Sequence, residues 1–507
     1  FNNDGVLANG LKAKLLEQTV VINIAPENDE TAINVKGKVA VENVNKTWPA
    51  ALPEYISGQT NYQAKLSVYE KTLGEFELDV AIESDLTGLD IDMPAPLGKT
   101  EKQPLVTKVS VEHLGEDLVY SATYGESLNA KVLPTAQGGW RGEIRFGQGK
   151  AVLPTLGMVV KGKLGKLSID DWIAWQENLP ADNQESLVDY IDLVSMNIDH
   201  IDVYQQTISG LAFTAERAAQ DWRIGLHSDQ VKGNVNWPHK LSSDAVLIMD
   251  FDYIYLNTIE DEAVEQEKSA AENVDQTQAQ PLTTLWPSIN FHTKQINIDD
   301  MKLGELNLQA SRHEKRWVVD AALLKSEAIN ASVKGQWQQL EHGAESHFTV
   351  NASSGDFKGL LADLGYQQIA EAETVDIRAD LRWPNSPIDF SIRDSFGQLT
   401  LDVGKGRLIE IEPGAAGRIF GLLSVATIPR RLSLDFTDLF GKGFSFDAIN
   451  GSFGIENGTA YTDDLSMKGQ SATIAVVGST HLLDKTYDQT IKITPNVSST
   501  LPIAGAM

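Results

Sequence analysis

The sequence predicts a mainly β protein built on a long antiparallel sheet, and three observations carry that expectation. Runs of alternating polarity recur along the 507 residues, glycine-containing turns separate them, and one segment is repeated. The runs are LSVYE from Leu66, FELDVAI from Phe76, IDVYQQTI from Ile201, INIDD from Ile296, LTLDV from Leu399, LSLDF from Leu432 and IKITP from Ile491. Successive strand side chains alternate faces, so Leu399, Leu401 and Val403 project one way while Thr400 and Asp402 project the other. Ser57-Gly58, Gly138-Gly139 and Asn457-Gly458 read as turns between antiparallel strands. The GKG triplets at 404–406 and 441–443 read as hairpin turns as well, since neither continues into a phosphate-binding pattern.

The repeat sets Ile201–Trp237 against Ile296–Trp337, aligning Val203 with Ile298, Leu211 with Leu306, Phe213 with Leu308 and Trp222 with Trp317. Each copy reads as four short strands, and such a unit cannot bury its apolar face without neighbours. Residues Ile259–Pro281 are rich in Glu, Gln and Ala with almost no large apolar side chain, as expected of a mobile acidic loop. The expected organisation is therefore a β segment over 1–167, a helix with the first repeat over 168–258, the acidic loop over 259–281, the second repeat over 282–350 and a C-terminal region over 351–507. Helices are expected from Ser168, whose hydroxyl caps two following acids, over Ala181–Val194, from Asp356, and over 415–428.

Composition excludes several activities. The net charge of -28 argues against nucleic-acid binding, which relies on a basic domain surface. The absence of cysteine removes disulfides, zinc–thiolate sites and thiol nucleophiles. The nearest histidines, His342 and His347, lack metal-ligand spacing, so neither a metal nor a cofactor is expected. No G-x-S-x-G elbow exists, and carboxylates are too abundant to single out a glycosidase pair. The sequence thus reads as a protein without catalysis. It starts at Phe1 without an initiator Met or a leader pattern and stops within the apolar Leu501–Met507, which reads as a fragment. The longest apolar stretches, such as Gly414–Ile428, fall short of the roughly 20 residues of a membrane span.

Several strings resemble the YhdP-type proteins of the AsmA superfamily: DMPAPLGK from Asp92, GDFKGLLADLGY from Gly355, DLRWPNSP from Asp380, LDVGKGRLIEIEPGAAGRIFGLLSVATIPRRLSLDF from Leu401, GKGFSFDAINGSF from Gly441 and YDQTIKITPNVSSTLPIAGA from Tyr487. The likeness extends over the whole chain and is densest after Gly355. It implies an elongated, curved antiparallel β-sheet trough with a few short helices. It also implies a periplasmic protein of the Gram-negative envelope that moves phospholipid between inner and outer membranes, anchored by an N-terminal helix that this sequence lacks. An acyl chain would lie on the dry face, and the candidates are alternate apolar residues: Ile201, Val203, Leu211, Phe213, Ile296, Ile298, Leu306, Leu308, Leu399, Leu401, Val403, Leu432, Leu434, Phe436, Ile474, Val476, Ile491 and Ile493. Each serves equally as ordinary core. Ile419, Phe420, Leu422 and Leu423 would form a gate helix, with Arg430 and Arg431 at its C-terminal end to meet a headgroup. The alternative from another class is a structural or adhesive β-repeat protein whose apolar faces close on themselves, and bound lipid would separate the two.

Overall fold

A computed structural model describes residues 6–27, 30–49, 51–72, 75–136, 138–178, 190–204, 206–240, 245–257, 286–340, 343–363, 370–409, 444–470, 472–484 and 486–496. These contain 29 strands and three α-helices. Two compact units cover 1–232 and 233–507.

In the first unit the strands are β1 (Ala8–Leu15), β2 (Gln18–Glu27), β3 (Glu30–Ala40), β4 (Ile56–Thr72), β5 (Glu75–Ser84), β6 (Leu89–Ile91), β7 (Thr107–Leu114), β8 (Asp117–Tyr124), β9 (Leu128–Pro134), β10 (Trp140–Phe146), β11 (Met158–Ser168), β12 (Ile191–Val203), β13 (Gln206–Arg217) and β14 (Asp221–His227). Each pairs with its sequence neighbour, except that the short β6 returns to β4 at one margin and β5 pairs with β7. Pairing is antiparallel save for two steps: β11 lies parallel to both β10 and β12. Parallel neighbours need a crossover, and Gly147–Gly157 supplies one of them. At one end of the ladder β1 pairs with β2 alone among the described residues.

Strand β15 (Val231–Pro238) contains the boundary between the units. In the second unit follow β16 (Val246–Leu256), β17 (Ser288–Ile298), β18 (Met301–His313), β19 (Arg316–Lys325), β20 (Asn330–Gln339), β21 (Ala344–Ser354), β22 (Ala370–Ala372), β23 (Val375–Pro384), β24 (Phe396–Val403), β25 (Gly406–Leu408), β26 (Phe444–Glu456), β27 (Thr459–Gly469), β28 (Ala472–His481) and β29 (Thr486–Pro495). Only β16 and β17 are parallel here among the described pairs. The expected mainly β, open-sheet fold is therefore present, with three parallel steps where a wholly antiparallel ladder was expected.

The repeat is visible in this topology. In each copy a strand laid parallel on its predecessor, β12 or β17, opens a meander, and Tyr204 (φ 48°) and Asp299 (φ 50°) occupy the same left-handed turn position. Trp222 and Trp317 are each the second residue of the third strand. Those turns also break IDVYQQTI and INIDD, which alternation alone reads as unbroken strands.

Helix α1 (Val41–Thr47) joins β3 to β4, α2 (Ile169–Glu177) follows β11 and α3 (Phe357–Asp363) follows β21. Ser168 caps α2 as expected, accepting a hydrogen bond from Asp171 N at 3.1 Å. Asp356 Oδ1 accepts one from Gly359 N at 2.9 Å at the start of α3. Of the helix expected over Ala181–Val194, residues 181–189 lie outside the described residues, and Ile191–Val194 are strand because they pair with β11 and β13. The Asn457-Gly458 turn is present with both φ values positive. Gly58 is no turn: it lies within β4, pairing with Leu89 of β6. Gly404–Gly406 is no hairpin either, since β24 and β25 both pair with β26 and the triplet bridges them along the same edge. The second GKG, the acidic loop and the helix expected over 415–428 lie outside the described residues.

Candidate functional site

The strand register assembles a continuous apolar face in the first unit. One row reads Ile22, Val35, Ala64, Ile82, Val109, Ala122, Ala130, Ile144, Val160, Val194, Ala215 and Ile224, each directly opposite the next on adjoining strands from β2 to β14. No polar side chain interrupts it. At ~4.8 Å per strand the row extends for about 50 Å. A second row two residues away runs Ile24, Ile33, Leu66, Val80, Val111, Tyr120, Val132, Gly142 and Met158.

Much of this face is open. Ile82 is 40% exposed, Val109 42% and Tyr120 36%, while beside them on the same parity Leu78 is 43%, Leu118 36% and Trp140 40% exposed. A run of large apolar side chains exposed on adjoining strands β5 to β10 is unusual for a protein surface and makes this the candidate site. The opposite face carries charge. There Lys65 bridges Glu27 and Glu30 at 2.9 and 2.8 Å, and its hydrogen bond holds the Glu30 carboxyl below the usual range. Tyr69 is pushed up to about 12 by burial and by the Asp79 carboxylate.

One margin of the face is walled by residues 92–99, the DMPAPLGK string. Trp172 and Trp175 of α2 donate to the Ala95 and Asp92 carbonyls at 3.2 and 2.6 Å, and Tyr124 donates to Leu97 O at 2.5 Å. Lys99 is 5% exposed, and its ammonium donates to the carbonyls of Leu86, Leu89 and Thr100. Burial lowers its pKa. Gly98 is obligatory at this point, because a Cβ would stand 1.7 Å from Met93 O.

The apolar face of the second unit is filled instead. Its row Met249, Phe291, Leu308, Ala322, Val333, Val350, Ala379, Leu399 and Phe453 is equally continuous. Two clusters occupy the space above it. Trp317, Trp337, Phe348 and Trp383 are buried, with Trp286 packed edge-on to Trp317 and Trp337 at 5.2 Å. Further along, Phe444, Phe446, Phe453, Leu465, Met467, Ile474 and Val476 form a second core.

The residues singled out from sequence fall on these surfaces as follows. Leu211 and Phe213 face Ile198 and Met196 across β12 and β13, whereas Ile201 and Val203 lie opposite Ile208 and Gln206, beyond Gly210, whose φ is +63°. Leu306 and Leu308 share the apolar face of the second unit with Leu399 and Leu401. Ile296 and Ile298 end β17 beside a register shift. Val403, Ile474 and Val476 are buried in the second core, and Leu399, Leu401, Ile491 and Ile493 pack against it. Leu432, Leu434, Phe436, Ile419, Phe420, Leu422, Leu423, Arg430 and Arg431 lie outside the described residues. The open stretch at Leu78, Ile82, Val109, Leu118 and Tyr120 was missed, although the alternation of FELDVAI carries its signal. Among the described residues no group of His, Asp and Glu could hold a metal ion, and no helix is long and apolar enough to cross a membrane.

A profile of the family described as "YhdP protein" matches residues 1–507. The chain belongs to the YhdP family. Its full length is 20% identical to the intermembrane phospholipid transporter YhdP of Escherichia coli (strain K12), of which it covers 40%. The chain thus spans about two fifths of the length of that curated relative. No solved structure matches. Within this YhdP-family chain the DMPAPLGK string owes its form to the Lys99 and Gly98 contacts, and the run from Leu401 begins on the core strand β24.

Proposed function

We propose that this chain is part of a periplasmic conduit that moves phospholipid between the inner and outer membranes, its acyl chains sliding on the apolar face of the first unit. The observation that carries the proposal is the uninterrupted aliphatic row from Ile22 to Ile224, left open to solvent at Ile82 and Val109. The name of the Escherichia coli relative supports the cargo. A tail leaving a bilayer loses about 0.8 kcal/mol for each CH2 that becomes wet, so a carrier must supply a continuous apolar track of comparable area. The row does this without a deep pocket, so a tail has no single preferred stop, while headgroups stay at the wet margin. The reading requires no covalent step and no cofactor, and its partners are phospholipid and the two membranes. Of the sequence-chosen positions, Leu211 and Phe213 belong to this proposal as contacts along the track, whereas Leu306, Leu308, Leu399 and Leu401 stand on the filled face of the second unit. Residues 415–428 are proposed as its gate, with Arg430 and Arg431 meeting the phosphate.

Native mass spectrometry of the gently purified chain tests the proposal. Adducts with phospholipid masses are expected. A chain that remains lipid-free after incubation with phospholipid vesicles would instead favour the structural β-repeat reading, to which the filled second unit already lends itself.

A further inference from the structure

We infer that the face opposite the apolar track carries a docking surface for an anionic lipid bilayer, centred on residues 147–157 and independent of whether the track carries lipid. In a chain of net charge -28, the span Asn129–Lys166 holds seven Lys or Arg against a single acid, Glu143. That acid is 2% exposed and already paired with Arg145 at 2.5 Å. Lys163 and Lys166 have partners in Asp199 and Asp202 at 3.0 and 2.8 Å, but among the described residues no carboxylate pairs with Lys131, Lys150 or Lys161. Register sets Lys131 opposite Glu143 and Arg145 opposite Lys161, all on the parity opposite the aliphatic row, so the cations share one face.

The crossover 147–157 is held on that same face. Asn129 Nδ2 donates to Gly149 O at 2.9 Å, Ala151 N donates to Asn129 Oδ1, and Arg141 donates to Pro154 O at 3.4 Å. Val119, Leu133 and Val159, on the same parity as these anchors, are buried, and the three hydrogen bonds make the segment a fixed platform. From that platform Val152 is 58% and Leu156 83% exposed. Cations flanking two protruding aliphatic side chains are what a surface of anionic headgroups over acyl chains recognises: the charges meet phosphates and the side chains enter the interface. An acidic protein would be served by the cations alone and would leave Val152 and Leu156 without a role.

Co-sedimentation of the whole chain with vesicles tests this, using equal parts phosphatidylglycerol and phosphatidylcholine against phosphatidylcholine alone. Binding should be confined to the anionic vesicles and weaken with salt. K131E/K150E/K161E should weaken it on the order of 100-fold, since each cation near such a surface is worth about a factor of five to ten. V152S/L156S should weaken it by about tenfold at unchanged salt slope. Equal binding to both vesicle types, or unaltered binding by the folded triple variant, would overturn the inference. Binding to neither vesicle type would overturn the inference and leave the cations to an acidic protein, while loss with the charge variant but none with V152S/L156S would overturn the part assigned to Val152 and Leu156. Circular dichroism melting confirms folding of each variant. I82D, which perturbs the track and leaves the basic face untouched, should bind vesicles normally, and this separates failure of the docking surface from failure of the conduit.

Discussion

Placing a carboxylate on the open track separates a lipid conduit from an apolar face with no cargo. Ile82 and Val109 stand directly opposite each other on β5 and β7, 40% and 42% exposed. A tail of about 15 Å, half the hydrocarbon thickness of a bilayer, covers roughly three strand spacings of ~4.8 Å. A tail lying along the row therefore touches this pair whenever it crosses β5 and β7. In Ile82→Asp/Val109→Asp two to three CH2 groups lose their apolar contact, about 2 kcal/mol at ~0.8 kcal/mol each. Keeping the carboxylates hydrated under a tail adds a further cost of similar size. Lipid occupancy should then fall by roughly 100-fold or more. Stability should change little, because both sites are already wet and the strand preference against Asp amounts to about 1 kcal/mol. The melting temperature should fall by only a few degrees. Native mass spectrometry after incubation with phospholipid reads the occupancy, and Ser121→Asp on the polar parity of β8 serves as the control. Full lipid loading in a folded double variant would refute the assignment of this face.

Other expectations concern the filled unit and its turns. Trp337→Ala should cost about 3–5 kcal/mol in urea unfolding, since Trp337 is 1% exposed beneath Trp286, whereas the 43% exposed Trp237 should cost far less. Gly458→Ala should destabilise by about 1–2 kcal/mol, measured the same way, because φ is +74° there. Asp464 is held below its ordinary pKa by hydrogen bonds from the Ser452 hydroxyl and backbone N–H at 2.6 and 2.7 Å. Its contribution is present above the unfolded carboxylate pKa near ~3.9 and is lost as pH falls through the lower folded value, so Asp464→Asn should flatten the acid limb of the stability profile.

Much of this architecture was legible in the sequence because a half-buried strand writes its pattern locally. LTLDV is β24 with the faces as expected, and Ser168 caps α2 because its hydroxyl needs only the next three residues. The parallel steps were not legible: β10, β11 and β12 are paired through crossovers, and no local pattern in Met158–Ser168 distinguishes a parallel neighbour from an antiparallel one. Nor could alternation reveal which apolar faces are covered. Val476 at 2% exposure and Val109 at 42% look alike in sequence, since the difference lies in what packs above them. The basic face escaped notice because Lys131, Arg145 and Lys161 come together only through the register of β9, β10 and β11.

The size of the side chains decides why one ladder fills its own apolar face and the other leaves it open. The central row of the first unit is built from Ala, Val and Ile alone, with Ala122 opposite Ala130. Such side chains cover the backbone and reach little further. In the second unit Trp317 and Trp337 stand on the apolar face within one buried cluster, and Phe446 and Phe453 lie within another. Ala122→Phe/Ala130→Phe should therefore imitate the second unit inside the first. Two rings on adjoining strands would occupy the track and bury aliphatic neighbours, gaining up to about 1 kcal/mol as a cross-strand aromatic pair. Lipid loading should fall while urea stability holds or rises, a combination that a charge substitution cannot produce. Undiminished loading in a variant that melts no lower than its parent would mean that the tails pass elsewhere.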